Sequence, residues 1–571
     1  MRILKITISF IFSICLSSLT WIPGLSAISL ARESDAPRSG IPYEVYNVKA
    51  ISNVKILPYT FPIPGVLANE LKITACRGEY EPATLVVRAL QNLKGLRLTV
   101  SDFHHGEASI PASAIDIRVV KCWFQSGVEI RGTQKCLLTP ELLLKDDKLI
   151  RVDLKNKRNY LRQINPAGEE SYLLLSGPDS GHLDAIQPKD SDVLQPVDIE
   201  AGANKQFWIT VKVPEDAIPG NYQGKILLTA PDIPPKKLIL HLRVLPFSLE
   251  NPVLRYSLYY LGKLRKDGRG SITADFKSVQ QYLAELHNLK VHGVDYPTLS
   301  AFDEDLFQQA LALREKLGFP KDSLYINYPG IDNPTGPKQL AALKDRVKKS
   351  INIAEKYHYK EVYFYGFDEA EGERLKSQRR AWQTVHEAGG RVFVACYKGA
   401  FELMGDLLDL AVLSGPPDPG EAEKFHTVGH QIFCYGNPQA GVEEPETYRR
   451  NYGLLLWQAR YDGSMNFAYQ WSYKGHIWND FDNDTWRDHC FTYPTVNGVI
   501  DTIQWEGFRE GVDDVRYLTT LLRTIQRAKT HKPQLSQQAQ EWVDKIDPKG
   551  DLDLLRGKIV EWILQLQLPI S

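Results

Sequence analysis

Near the middle of the chain, an aromatic, β-prone run ends abruptly in two adjacent acids. It reads Glu361-Val362-Tyr363-Phe364-Tyr365-Gly366-Phe367-Asp368-Glu369, with Glu371 and Glu373 just beyond. Burial beside rings raises a carboxyl pKa, and a second carboxylate opposes double ionisation, so one acid can keep its proton while the other stays charged. That asymmetry suits glycosidic cleavage: one acid protonates the leaving oxygen, and an anion supports positive charge developing at the sugar. Neighbours on a regular strand face opposite ways, so both acids enter one pocket only where the strand end twists or breaks; Gly366 eases such a change. Capping of the following helix, or plain solvation, is the competing use of the pair.

The elements that must position these acids follow from hydrophobic periodicity. Segments Leu254–Leu261, Gly293–Leu299, Ser323–Tyr328, Glu361–Phe367, Arg391–Tyr397, Leu408–Leu413, Gln431–Tyr435 and Ser464–Trp471 read as short strands. Helical stretches lie between several of them, among them Ala274–Leu289, Leu306–Leu317, Leu340–Tyr357 and Arg374–Glu387. Eight strands with helical crossovers predict a (β/α)₈ barrel of the TIM type over residues 250–530, with the acids at the C-terminal end of its fourth strand, where barrel active sites form. An open doubly wound sheet is the alternative, and no glycine-rich phosphate loop supports it. Residues 531–571 read as a C-terminal helical cap.

The stretch from 43 to 247 has a different period. In Leu238-Ile239-Leu240-His241-Leu242-Arg243-Val244 the leucines and Val244 share one face, while His241 and Arg243 share the other. Similar short runs, with turn-formers at Pro219-Gly220 and Pro234-Pro235, predict a β-sandwich ahead of the barrel.

The expected barrel rim is rich in rings and directional polar groups. Tyr259, Asp295, Tyr296, Asn327, Tyr328 and Tyr397 fall near strand ends, followed by Tyr435, Tyr469 and Trp471, with Trp478 just beyond. Rings stack on apolar sugar faces, and Asp, Asn and Tyr supply hydrogen bonds, so the set is the candidate substrate-binding group; packing inside the barrel is the competing reading.

Other features bound the reading. The chain's 571 residues hold 27 Tyr, 21 Phe and 11 Trp against 3 Met, and its 68 Lys+Arg nearly balance 69 Asp+Glu. A formal charge of -1 argues against a nucleic-acid partner and is compatible with a neutral glycan. Residues 1–31 run from basic Arg2 and Lys5 through the apolar Ile6–Leu19 stretch to small residues at Ser26-Ala27, the order of a signal peptide, which predicts a secreted or periplasmic chain; an uncleaved anchor is the alternative. No later run is long enough to suggest an integral membrane partner. No CxxC pair or zinc spacing is present, and Cys122 and Cys136 are candidates for a disulfide. Asp480, Asp482 and Asp484 lack the glycine and glutamate spacing of a calcium loop, so neither metal nor cofactor is expected. The spacings of Glu506, Glu510, Asp513 and Arg516 suit ion pairs on a helix.

Motifs spread along the chain carry a resemblance. Gly78-Glu79-Tyr80-Glu81-Pro82-Ala83, Tyr365-Gly366-Phe367-Asp368-Glu369 and Gly463-Ser464-Met465-Asn466-Phe467-Ala468-Tyr469-Gln470-Trp471 occur in order. Tyr493-Pro494 and the run from Asp501 through Trp505-Glu506-Gly507-Phe508-Arg509-Glu510-Gly511 to Tyr517-Leu518 complete the set. With these motifs the chain resembles family 123 glycoside hydrolases and the related domain of unknown function 4091 family. The resemblance implies a sandwich before a catalytic barrel, acting on β-linked N-acetylgalactosamine with retained configuration. It implies that Glu369 is general acid and then base, while Asp368 orients the 2-acetamido group, whose oxygen is the nucleophile. One position departs from the pattern: Gln504 stands where arginine is common, and glutamine brings no fixed charge. A glycosidase acting on another sugar through a carboxylate nucleophile, and a carbohydrate-binding protein without turnover, are the alternatives.

Overall fold

The computed structural model describes residues 42–568 apart from 128, 132–134, 166, 179, 180, 182, 184, 185 and 302. The expected signal peptide lies outside the described residues. Residues 42–568 fall within one compact unit.

The N-terminal part is built of antiparallel sheets. One has six strands in the order Gly65–Leu67, Tyr43–Val48, Tyr80–Ala89, Asn204–Lys212, Ile115–Gln125 and Leu137–Leu144. A second, of seven strands, has the main path Val197–Ile199, Leu93–Val100, Gly220–Ala230, Ile233–Ser248 and Glu70–Arg77, the last pair being parallel, and a third sheet joins Ile150–Asp153, Arg158–Ile164 and Glu170–Leu174. Alternation explains the fit: Leu238, Leu240, Leu242 and Val244 are buried, whereas His241 and Arg243 are not. The buried set joins Leu85, Val87, Phe207 and Ile209 of the other sheet in one core.

The second part is a sheet of eight parallel strands, wrapped through 258°. In chain order they are Arg255–Leu258, Leu299–Ser300, Ser323–Tyr328, Glu361–Tyr365, Arg391–Cys396, Leu410–Ser414, Gln431–Tyr435 and Gly463–Asn466. The sheet is open between the first strand and the second. Two backbone bonds cross that edge without making a ladder: Tyr296 N–H donates to Tyr256 O (3.1 Å) and Thr298 N–H to Leu258 O (3.0 Å). The expected second strand, Gly293–Leu299, therefore contributes only Leu299–Ser300 to the sheet. Inside, rings pack with the aliphatic Leu410 and Val412: Tyr325 lies 5.0 Å from Tyr363 and 5.5 Å from Phe393, between centroids.

Helix Ile503–Ala528 joins the two parts. Thr502 caps it by accepting from Trp505 N–H. A Cβ on Gly507 would stand 2.2 Å from Pro445 O, and one on Gly511 2.7 Å from Arg449 O, so only glycine lets helix Pro445–Tyr452 lie this close. Buried Glu79 accepts from Cys76 N–H (2.6 Å) and from the Tyr517 hydroxyl (2.8 Å), tying the sheet motif to the late helix. Arg556, from helix Leu552–Gln567, bridges Glu81, Glu510 and Asp514. Both distinctive motifs thus serve the junction rather than the acids.

Among the described residues no helix is long and apolar enough to cross a membrane. Cys122 and Cys136 are not bonded to one another: the first thiol faces Ile56 O and the second Lys157 O.

Candidate active site

The fourth parallel strand ends at Tyr365, and the chain stays alongside the fifth for four residues more. Gly366 N–H donates to Phe393 O (2.9 Å) and Glu369 N–H to Ala395 O (3.1 Å). Three steps along this segment thus oppose two on its neighbour, which is one residue too many for a regular pleat. Glu369 takes up the difference with a φ of 47°, a left-handed backbone rare outside glycine. Phe367 N–H is fixed by Gln378 Oε1 (2.7 Å), and Trp382 and Val394 press on Gly366 so closely that its Cβ would meet Trp382 at 3.0 Å. The extra residue is what turns both acids into one cleft.

That cleft has a volume of about 1290 Å³ and opens at the C-terminal end of the parallel strands. Of the expected rim residues, Tyr259, Asn327, Tyr397, Tyr435 and Trp471 line it together with Asp368 and Glu369. Each acid has its own tyrosines. Tyr365 donates to Asp368 Oδ1 (2.5 Å) and itself accepts from Tyr259 (3.2 Å). Tyr397 donates to Glu369 Oε2 (2.6 Å), and Tyr435 donates to the other oxygen. Loss of solvent in the cleft raises the Asp368 carboxyl; the Tyr365 hydrogen bond opposes this and the Glu369 charge adds to it. Burial likewise pushes Tyr397 up to about 12 and lifts Tyr259, Tyr365 and Tyr435 well above the usual phenol range. All four hydroxyls therefore remain protonated donors at neutral pH.

The other expected rim residues lie elsewhere, each for a physical reason. Because the second strand starts only at Leu299, Asp295 and Tyr296 precede it, at the N-terminal end of the sheet; Tyr296 donates to Asp322 (3.0 Å), just before the third strand. Tyr328 ends the third strand but is 44% exposed, with Lys263 Nζ 5.1 Å from its ring centre. The eighth strand stops at Asn466, not Trp471, and the chain crosses to the first strand, where Tyr469 N–H donates to Tyr259 O (3.1 Å). This turns the Tyr469 ring away from the cleft, its hydroxyl on Asn288 (3.0 Å). Trp478 is buried edge-on against Trp123, donates to Pro494 O (2.9 Å), and lines a separate cavity of about 420 Å³.

Sequence reasoning passed over Tyr365, Phe467, Tyr473 and Trp486, which also line the cleft. Tyr473 stacks on Trp486 at 5.9 Å, and Arg131 lies 4.2 Å from the Trp486 ring centre, so the antiparallel part supplies one wall. Tyr365 carried a signal, since it stands three residues before Asp368; Arg131 carried none.

Two acidic groups set aside as structural are used in the scaffold. Asp480 accepts from Ser126 N–H (2.9 Å), Asp488 N–H (2.8 Å) and Arg487 Nε (2.8 Å), pinning the loop that carries Trp486. His292, Asp501 and Glu506 place ligand-type atoms within 4.8 Å of one another. Arg509 holds both Glu506 oxygens and Arg118 holds Asp501, so guanidinium groups supply the positive charge a metal would bring.

Gln504 is buried and donates to Glu141 Oε1 (2.8 Å), while Trp123 (2.7 Å) and Gln125 (2.6 Å) donate to Oε2. Burial, and then the charge of Glu443, raise Glu141 to about 7. The folded chain therefore binds this proton more tightly than the unfolded one. Its contribution to stability is complete below the unfolded value of 4.5 and is lost as pH rises through 7. Urea unfolding of Glu141→Gln should show a shallower fall in stability between about pH 5 and about pH 8 than the unaltered chain.

No family model matches the chain, and no curated protein matches it in sequence. Among solved structures it is similar to a family 123 glycoside hydrolase from Clostridium perfringens described for glycolipid glycan hydrolysis. The two share 13% identity at a TM-score of 0.63, over 92% of this chain and 98% of that one. This is a likeness of fold that spans the antiparallel and parallel parts together. A GH5 xyloglucanase from Bacteroides ovatus, in complex with a heptasaccharide, aligns at 8% identity with a TM-score of 0.27, over 78% and 98% of the respective chains.

Proposed function

We propose that the chain is a retaining β-N-acetylhexosaminidase, favouring β-linked N-acetylgalactosamine and using the substrate's own 2-acetamido group as nucleophile. The observation that carries this reading is the placement of two adjacent carboxylates in one ring-lined cleft, each with its own tyrosine donors. An ordinary retaining glycosidase uses its second carboxylate as the nucleophile, and substrate assistance removes the need for one, leaving the neighbouring acid free to hold the acetamido group. The structural neighbour acts on glycolipid glycans and has the same overall fold, which supports the same class of reaction here.

In this mechanism Glu369 gives its proton to the leaving glycosidic oxygen as the acetamido carbonyl oxygen attacks C1 and the C1–O bond breaks. Asp368 has one oxygen tied by Tyr365; the other accepts the acetamido N–H and balances the charge of the oxazolinium ring. Glu369, now ionised, takes a proton from water as that water attacks C1 and the ring reopens. Two inversions give net retention. Tyr397 and Tyr435 hold the Glu369 carboxyl through both steps. Trp471 and Tyr473 offer stacking surface, and Asn327 a polar contact, for the sugar.

A second reading exchanges the two acids. It is favoured by the raised Asp368 carboxyl and by the two donors on Glu369, an arrangement that suits an anion.

The parallel part is read as a (β/α)₈ barrel of TIM type over 250–530, supported by the sandwich at 43–247 and capped by 531–571. The signal-like residues 1–31 support export to the periplasm or beyond. Proton NMR of the first product formed from an aryl β-N-acetylgalactosaminide tests the reaction class: the β anomer is expected to appear first, and initial release of the α anomer would contradict it.

A further inference from the structure

Gln378 lies where the helical stretch after the fourth strand breaks in two, between Gly372–Lys376 and Arg379–Glu387, and it is fully buried. Its Oε1 accepts from Phe367 N–H (2.7 Å) and from Trp382 Nε1–H (3.2 Å). Both partners are donors, which settles the orientation of the amide: the oxygen faces them and the NH₂ does not. Among the described residues that buried NH₂ has no hydrogen-bond partner. The oxygen is therefore the group in use at this position.

What that oxygen holds is the backbone that carries the acids. Gly366 and Glu369 are tied to the fifth strand through their own N–H groups. Between those two anchors, the backbone of Phe367 and Asp368 has one hydrogen-bond partner among the described residues, Gln378 Oε1 at Phe367 N–H. Asp368 thus sits at the apex of the extra residue, with its side chain on the Tyr365 hydroxyl (2.5 Å). Without the acceptor the segment is free to relax toward regular pairing, and a slip of one residue on a strand turns a side chain to the opposite face. Glu369 keeps its N–H bond to Ala395 O and its two tyrosines, so Asp368 is the acid that moves.

We propose that Gln378 is a positioning residue for Asp368, and that through this backbone bond it sets how strongly the chain prefers a 2-acetamido sugar to a 2-hydroxy one. Gln378 is not among the residues that line the cleft, so it acts on the substrate only through Asp368. The inference rests on the reading of Asp368 as the acid that holds the acetamido group.

The test compares dinitrophenyl β-galactosides bearing acetamido or hydroxyl at C2. Gln378→Met keeps the length of the side chain but offers no comparable acceptor, and its preference for the acetamido sugar in kcat/KM should fall about thirtyfold. Gln378→Asn, one methylene short of both donors, should behave alike and stands in for the Met variant if that chain does not fold. Gln378→Glu, whose carboxylate accepts from both N–H groups, should keep the preference within about threefold of the unaltered chain. A ratio of two rates on one sample is unaffected by any unfolded fraction, so a merely structural role for Gln378 would leave it unchanged. In a crystal structure of the Met or Asn variant the Tyr365–Asp368 hydrogen bond should be broken, with Glu369 N–H still on Ala395 O. An unchanged preference in those variants, an equal fall in Gln378→Glu, or an intact Tyr365–Asp368 bond would overturn the proposal. If the unaltered chain cleaves both sugars alike, the reading of the cleft fails, and the crystal structure still decides whether Gln378 places Asp368.

Discussion

Glu369→Gln is expected to lower kcat/KM about 10³-fold on a substrate whose leaving group is another sugar, roughly 4 kcal/mol of transition-state stabilisation. A sugar alkoxide is a poor leaving group without a proton, and glutamine has none to give. One of the two tyrosines can still donate to the amide oxygen, and the other can turn its hydroxyl to accept from the NH₂, so the side chain keeps its partners and the cleft its shape. The loss should shrink to about tenfold in the first step when the leaving group is a dinitrophenolate, which departs without protonation. Added azide should then restore turnover by attacking C1 without a general base. Rates measured across a series of aryl leaving groups check this. If the two acids are exchanged in role, the leaving-group dependence moves to the Asp368 variant, so the same series decides between the readings.

Asp368→Asn should cost about 10² to 10³-fold on acetamido substrates, by removing the anion opposite the forming oxazolinium. The amide can present its NH₂ to the acetamido N–H, replacing an attraction by a clash of donors. Unlike Glu369→Gln, the loss should be nearly the same for good and poor leaving groups, because ring closure rather than proton transfer is impaired. Tyr365 would still meet the Oδ1 position, so circular dichroism and the unfolding midpoint should stay close to those of the unaltered chain. Steady-state kinetics with two leaving groups of differing acidity separates this outcome from simple loss of the fold.

The sequence carried the periodicities better than the ends of elements. The alternation at Leu238–Val244 marks buried and exposed faces correctly because one face meets the sandwich core and the other does not. The segments at Ser323–Tyr328 and Gln431–Tyr435 coincide with strands because their apolar runs end where the ladder does. At Gly293–Leu299 the apolar residues report burial without pairing, and only Leu299–Ser300 joins the sheet. At Ser464–Trp471 the aromatic run continues past Asn466 because the chain crosses to the first strand while remaining buried.

Ring identity was equally ambiguous. Tyr259 and Tyr469 look alike in sequence, yet one faces the acids and the other faces Asn288, since a tyrosine can satisfy its hydroxyl on either side of a sheet. The acids themselves were legible as a pair, but their shared direction depends on one extra residue beside the fifth strand, which a single sequence does not mark. The wall formed by Arg131 and Trp486 joins residues from two parts of the fold and follows from no local pattern.

The central claim is that the substrate's acetamido group does chemistry, held by Asp368 while Glu369 moves the proton. Its most direct test is hydrolysis of two aryl β-galactosides that differ only at C2, one bearing acetamido and the other hydroxyl. Cleavage of the acetamido sugar faster by about 10³-fold or more in kcat/KM is expected, because the hydroxyl cannot form the cyclic intermediate. Equal cleavage of the pair would contradict it.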